Sequence, residues 1–213
     1  MHKQISNGCD YLEKEHVIHR DLRAANVLVD ENNQAKVSDF GLAKLMKERN
    51  GQMDDYLANE NTKFPIRWTA PEAMLYKRFS SKSDVWSMGV LIWEVVTLGK
   101  TPYPGLTNRQ LIEKLQRGYR MPNPGESDST VWCPANLYGL MLNCWHTNSE
   151  FRPNFETVKD IMEGILSEWQ VEQAGQEVLG PRFDATGYEQ STQPGYDFAQ
   201  GSTINIRDKR RGN

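Results

Sequence analysis

The chain of 213 residues is poor in cysteine, has no long apolar run and carries no surplus of positive charge. Its three cysteines, Cys9, Cys133 and Cys144, are odd in number and form no Cys-x-x-Cys pair. That argues against a disulfide framework or a zinc site and for a reducing compartment. The longest apolar stretch, Met88 to Leu98, is interrupted by Glu94 and is too short to span a bilayer, so it reads as a core helix. The N-terminus has neither a signal peptide's apolar segment nor the Met-Gly start of a myristoylated protein. With 25 Lys and Arg against 28 Asp and Glu, the balance gives no sign of nucleic-acid binding. The basic cluster Arg207 to Arg211 reads as a solvated terminus. Also absent is any Gly-x-Gly-x-x-Gly, so these residues hold no such loop to cover a nucleotide's phosphates. No internal repeat is visible.

What is present suffices for one sizeable core, mostly helical. Ile5, Cys9, Leu12 and His16 recur at helical spacing and predict an amphipathic helix over 3–16. Val27-Leu28-Val29 and Ala35-Lys36-Val37 flank Asp30-Glu31-Asn32-Asn33, a hairpin signature. Pro71 opens a short helix over about 71–76, and Ser83-Asp84 are expected to cap a long apolar helix ending near Gly99. A polar helix follows at about 107–117, and the stretch from Pro122 to Trp132 reads as an exposed loop. Leu137 to Trp145 is apolar again. A final helix after Phe151-Arg152-Pro153 is expected to end near Trp169. Beyond it Gln, Gly, Ser and Thr dominate, and 170–213 reads as a tail with too little apolar surface to offset its ordering entropy.

The chemistry sits in three strings: His19-Arg20-Asp21-Leu22-Arg23-Ala24-Ala25-Asn26, Asp39-Phe40-Gly41 and Ala70-Pro71-Glu72. An Asp and an Asn five positions apart on a tight loop can turn a carboxylate and an amide oxygen toward one point. A second Asp beyond a short hairpin can complete a site for a hydroxyl nucleophile and a phosphate-bound metal. Taken singly, Asp21, Asn26 and Asp39 would pass for turn and cap residues. In this order and spacing they match the protein-kinase catalytic signature.

From about Lys3 to about Leu166 the chain resembles the C-terminal lobe of a protein tyrosine kinase, most nearly the Src-type non-receptor branch. The fold so implied is mainly α: a protein-kinase-like C-lobe with a small β-hairpin over residues 1–169, then a disordered polar tail over 170–213. By the resemblance, Asp21 accepts or orients the proton of the substrate hydroxyl. Asn26 and Asp39 hold Mg²⁺ on the phosphates of ATP, with Mn²⁺ as an alternative ion. Arg23 stands where tyrosine kinases keep an arginine beside the γ-phosphate and serine/threonine kinases usually a lysine. Leu28 matches a residue beneath the adenine ring. The string Lys63-Phe64-Pro65-Ile66-Arg67-Trp68 resembles the peptide-positioning segment of tyrosine kinases, which makes Pro65, Ile66, Arg67 and Trp68 substrate-binding candidates and protein tyrosines the substrate class.

Other residues match structural and regulatory positions. Tyr56 stands where Src-type kinases carry an activation-loop phosphotyrosine, and Arg20 is expected to meet its phosphate. The span from Asp39 to Tyr56 is about five residues longer than in that branch. Asp84 matches a buried aspartate that holds the catalytic-loop backbone, Glu72 and Arg152 an ion pair, and His19 and Phe40 two members of a hydrophobic stack. Tyr188 and Tyr196, each beside an acid, resemble docking sites for phosphotyrosine-binding modules. A cytoplasmic protein is implied, or one at the inner face of the plasma membrane through upstream domains. The glycine-rich loop, the strand lysine and the helix glutamate of a complete kinase are not found, so little or no activity is expected of these residues alone. The alternative is a non-catalytic truncated kinase serving as an interaction module. Met1 falls inside a helix, as it would in a fragment of a longer catalytic domain.

Overall fold

The computed structural model describes residues 2–49, 52–59 and 61–178. The chain divides into two units, Met1–Trp169 and Gln170–Asn213. Helix α1 (His2–Lys14) leads into a two-residue strand β1 (Val17–Ile18). The hairpin β2 (Val27–Val29) and β3 (Ala35–Val37) follows, with Val27 opposite Val37 and Val29 opposite Ala35. Its turn is held by Asp30, whose Oδ1 accepts the N–H groups of Asn32 and Gln34, both at 2.9 Å. Asn33 takes the left-handed conformation (φ 58°) that asparagine tolerates.

Four further short strands organise the segment after the hairpin. β4 (Lys44–Leu45) pairs antiparallel with β1, and β5 (Glu48–Arg49) with β6 (Gln52–Met53). β7 (Tyr56–Leu57) pairs with β8 (Arg78–Phe79). The polar stretch between Asp39 and Tyr56 contains the β5–β6 pair, closed by the Asp54 N–H on the Lys47 carbonyl at 3.0 Å. Helices α2 (Pro71–Tyr76), α3 (Ser81–Val96), α4 (Asn108–Gln116), α5 (Pro124–Ser127), α6 (Ala135–Cys144) and α7 (Phe155–Val178) make up the rest, joined in places by single 3₁₀ turns.

α3 is the centre of the core: every residue from Ser83 to Glu94 is buried. A helix apolar on all sides is stable only when surrounded, and here Ile5 and Cys9 of α1, Leu140, Met141 and Cys144 of α6, and Val158 and Met162 of α7 belong to the same core. The approach of α6 to α3 requires Gly89. A Cβ there would lie 2.6 Å from Trp145 Nε1 and 2.9 Å from Cys144 Cβ.

Four sequence expectations are corrected by the structure. α1 stops at Lys14, two residues short of the expected end, because His16 turns left-handed (φ 58°) to lead into β1. The N-cap of α3 is Ser80, whose N–H bonds Ser83 Oγ at 3.1 Å; Ser83 and Asp84 lie inside the helix. The loop expected over 122–132 contains α5, with Asn123 capping it through the Gly125 N–H at 2.9 Å and Pro124 buried. Finally, α7 continues to Val178, past Trp169. Residues 170–178 are rich in Glu and Gln and contain no proline, so a helix already nucleated costs little to extend there, whatever apolar area it buries. Tyr188, Tyr196 and the remainder of the tail lie outside the described residues.

Replacing Gly89 by Ala should lower unfolding stability by about 1–3 kcal/mol through overpacking against Trp145. Urea denaturation followed by tryptophan fluorescence measures it, and an unchanged midpoint would show that α6 yields freely.

Candidate active site

The loop after β1 is held from beneath by one carboxylate. Asp84, buried on α3, accepts the His19 N–H at 2.6 Å and the Arg20 N–H at 2.9 Å. These two bonds fix Arg20 at φ 67°, a conformation a residue with a Cβ seldom adopts. Burial pushes Asp84 up to about 7, against the two N–H donors and the Arg20 charge, which favour the ionised form.

The next residue of the loop is Asp21, which is buried. Its Oδ1 lies 3.2 Å from Arg23 Nε, yet neither atom has a hydrogen-bond partner, so the contact is electrostatic and the acceptor stays free. His19 joins this residue to the next string. Its Nδ1 accepts the Asp21 N–H at 3.3 Å, and its Nε2 lies 3.0 Å from the Ser38 carbonyl. Burial lowers the imidazole's proton affinity, and the two partners together assign the neutral Nε2–H tautomer. The ring also meets Phe40 edge-on at 5.0 Å. Ser38 is bound a second time, by its N–H and its Oγ to the Asn26 carbonyl, both at 2.9 Å. Asp21, Asn26 and Asp39 are thus gathered through the backbone of their neighbours.

Within this cluster two hard oxygens suit a divalent cation. The Asn26 amide nitrogen donates to the Asp21 carbonyl at 2.8 Å, which commits the NH₂ and leaves Oδ1 for another partner. Asp39 is exposed, left-handed at φ 64°, and accepts the Gly41 N–H at 3.2 Å through Oδ1. One carboxylate and one amide oxygen are too few for an all-protein cage, but they fit Mg²⁺, which commonly takes its remaining ligands from phosphate and water.

Arg20 and Tyr56 also meet, though ring to guanidinium. Arg20 lies over the Tyr56 ring at 4.7 Å and over Phe79 at 5.3 Å, while its Nε donates to the Leu42 carbonyl at 2.6 Å. Lys44 Nζ sits 5.8 Å from the same tyrosine ring. Asp55, next to Tyr56, receives both Nε and Nη2 of Arg78.

The segment from Pro65 to Trp68 is pinned at two ends. Arg67 spends its guanidinium on the carbonyls of Pro102 (2.6 Å), Tyr103 (2.8 Å) and Leu106. These bonds tie the segment to the loop after α3. Trp68 Nε1 donates to Glu94 Oε2 at 2.7 Å, and its ring faces Arg23 at 5.6 Å. Glu72 and Arg152 form a bidentate pair at 2.6 and 2.8 Å. The Arg152 guanidinium is fully buried over the Trp86 ring and also donates to the carbonyls of His146 and Lys82. Leu28, Val29 and Phe40, by contrast, expose apolar side chains beside the loop.

The family model described as protein tyrosine and serine/threonine kinase matches residues 1–162. This chain belongs to the protein kinase family. It is similar to Tyrosine-protein kinase SRK3 of Spongilla lacustris, at 55% identity over 163 residues, which cover 76% of this chain and 46% of that protein. The kinase chain thus spans about half the length of the curated relative it matches.

One functional candidate escaped the sequence reading. Glu94 accepts the Ala24 N–H at 2.9 Å as well as the Trp68 indole, and is buried. Burial raises its proton affinity, while those two donors and the Arg23 charge lower it. The signal was its isolation, since a charge inside an apolar helix calls for buried partners. Among the described residues no helix is long and apolar enough to cross a membrane.

Asp84 makes the stability of this kinase chain depend on pH. A carboxyl raised from 3.8 to about 7 by the fold contributes stability that is fully present below 3.8 and lost as pH rises through about 7. Resistance to urea should therefore be greater at pH 6 than at pH 8, by a component that Asp84→Asn removes. That variant should itself lose about 1–3 kcal/mol, because its amide NH₂ confronts a backbone donor. An identical pH difference in both proteins would refute the assignment.

Proposed function

We propose that this chain is the C-terminal lobe, over residues 1–169, of a non-receptor protein tyrosine kinase, with 170–213 a polar tail outside it. Such an enzyme transfers the γ-phosphate of ATP to tyrosine hydroxyls of proteins. The observation that carries the reading is the free, buried Oδ1 of Asp21 beside Arg23, tied through His19 and Ser38 to Asn26 and Asp39. Asp21 takes or orients the phenol proton, and Arg23 presents its planar fork to the phosphoryl oxygens. Asn26 Oδ1 and the Asp39 carboxylate would hold Mg²⁺, or Mn²⁺ in its place. The ion would neutralise charge on the nucleotide phosphates. Leu28, exposed on β2, is proposed to lie under the adenine.

The tyrosine preference is supported by Arg23 and by the platform from Pro65 to Trp68, where Pro65, Ile66, Arg67 and Trp68 are proposed to position the substrate and the Arg67 guanidinium also ties the platform to the loop after α3. Tyr56 is the proposed phosphorylation site. Its phosphate would exchange the ring contact with Arg20 for charge-assisted hydrogen bonds, which are stronger. The protein is proposed to act in the cytoplasm, with Tyr188 and Tyr196 as docking tyrosines for phosphotyrosine-binding modules.

These 213 residues contain no glycine-rich loop to grip the nucleotide. Purified and mixed with ATP, Mg²⁺ and poly-Glu-Tyr, they should phosphorylate at background level. A catalytic domain completed with a nucleotide-binding lobe should be active on tyrosine, and Asp21→Asn in it should reduce kcat roughly 10²- to 10⁴-fold. Transfer to serine in preference to tyrosine, or full activity of the Asn variant, would overturn the reading.

A further inference from the structure

We propose that Glu94 is a positioning residue that sets the substrate platform against the catalytic loop. The inference rests on the tyrosine-kinase reading and assigns that site a further working part. One oxygen, Glu94 Oε2, accepts from two donors on different segments: the Ala24 N–H, at the start of the turn that follows Arg23, and the indole of Trp68, the last residue of the platform. The chain of contacts continues toward the reaction. The Trp68 ring carries the Arg23 guanidinium at 5.6 Å, and Arg23 Nε lies 3.2 Å from the free Oδ1 of Asp21.

Each link has a separate consequence. The Ala24 bond places the turn that ends in Asn26. The Trp68 bond fixes the indole plane on which Arg23 rests, and so the distance between the shelf that receives a phenol and the carboxylate that receives its proton. Ser87, on the same helix, bonds the Trp68 carbonyl at 2.7 Å, so α3 holds the backbone and the side chain of Trp68 from one rigid support. Side-chain positions a fraction of an ångström out of register are costly in a transfer reaction, because the attacking hydroxyl must meet the phosphorus in line. Glu94 is therefore expected to act on turnover, and not on the affinity for nucleotide, which its contacts do not reach.

Substitutions separate this role from plain bracing of the core. Because both bonds land on a single oxygen, Glu94→Gln can keep them through its amide carbonyl while removing the charge that faces Arg23. Glu94→Ala removes the acceptor of both bonds, and Trp68→Phe removes only the indole donor. In the completed catalytic domain, assayed well below the melting temperature, Glu94→Ala and Trp68→Phe should each lower kcat on a tyrosine peptide roughly tenfold or more, with KM for ATP unchanged. Glu94→Gln should retain more of kcat than Glu94→Ala does. The double variant Glu94→Ala with Trp68→Phe should fall little further than the worse single one, since both cut one connection. In the 213-residue chain the Trp68 indole N–H resonance should move upfield in Glu94→Ala and stay near its place in Glu94→Gln, a readout independent of activity.

A completed wild-type domain inactive on tyrosine would defeat the tyrosine-kinase reading itself. An active wild type whose folded Glu94→Gln and Trp68→Phe variants both match it in kcat would overturn the positioning role alone. So would losses confined to KM for ATP, or strictly additive effects in the double variant. Should Glu94→Ala not fold, the comparison of Glu94→Gln with Trp68→Phe decides in its place.

Discussion

The carboxylate of Asp84 beneath the His19 and Arg20 amides is the contact on which the rest of the site depends. Two buried N–H groups on consecutive residues require acceptors, and a loop that turns left-handed at Arg20 cannot supply them from its own backbone. Two effects oppose each other in this carboxylate. Burial among Cys9, Leu22 and their neighbours disfavours the charge, while both N–H donors are best served by it. The outcome is a group whose ionisation holds the loop firmly at some expense of overall stability. From that anchor follow the neutral His19, the position of Asp21 and the placing of Arg20 against Tyr56.

α3 extends the same principle along its length. It is apolar nearly throughout, yet it carries Asp84, Ser87 and Glu94, three and then seven residues apart, which places all three on one side of a helix. Each reaches a different part of the site: the loop backbone, the Trp68 carbonyl, and the Trp68 indole with Ala24. A single rigid helix buried on every side is a good support for such groups, because packing has already removed its freedom. The other ties are guanidinium forks. Arg67 gathers three carbonyls of the loop after α3, and Arg152 gathers Glu72 with two carbonyls. Breaking either fork leaves several buried acceptors without donors, so the arginines hold loops that make few apolar contacts of their own.

The sequence by itself determined whatever is local. The hairpin from Val27 to Val37 follows from two short apolar runs around an Asp-containing turn, and the helix from Pro71 to Tyr76 from its leading proline. The order of the three catalytic strings points to one family because their spacing is itself local information. The tertiary structure alone decided which donors meet which acceptors over long separations. Ala24 and Glu94 are 70 residues apart, Glu72 and Arg152 are 80 apart, and no periodicity records such partners. The same limit explains why the three carbonyls that receive Arg67 could not be read from its own string, and why Glu94 was seen only as an interruption in an apolar run. It also explains α5 and the end of α7. A four-residue helix depends on the burial of Pro124, and a helix end beyond the core is set by propagation and not by amphipathic pattern. Composition and spacing state what a segment can do, and only the packing of distant segments selects the partner with which it does it.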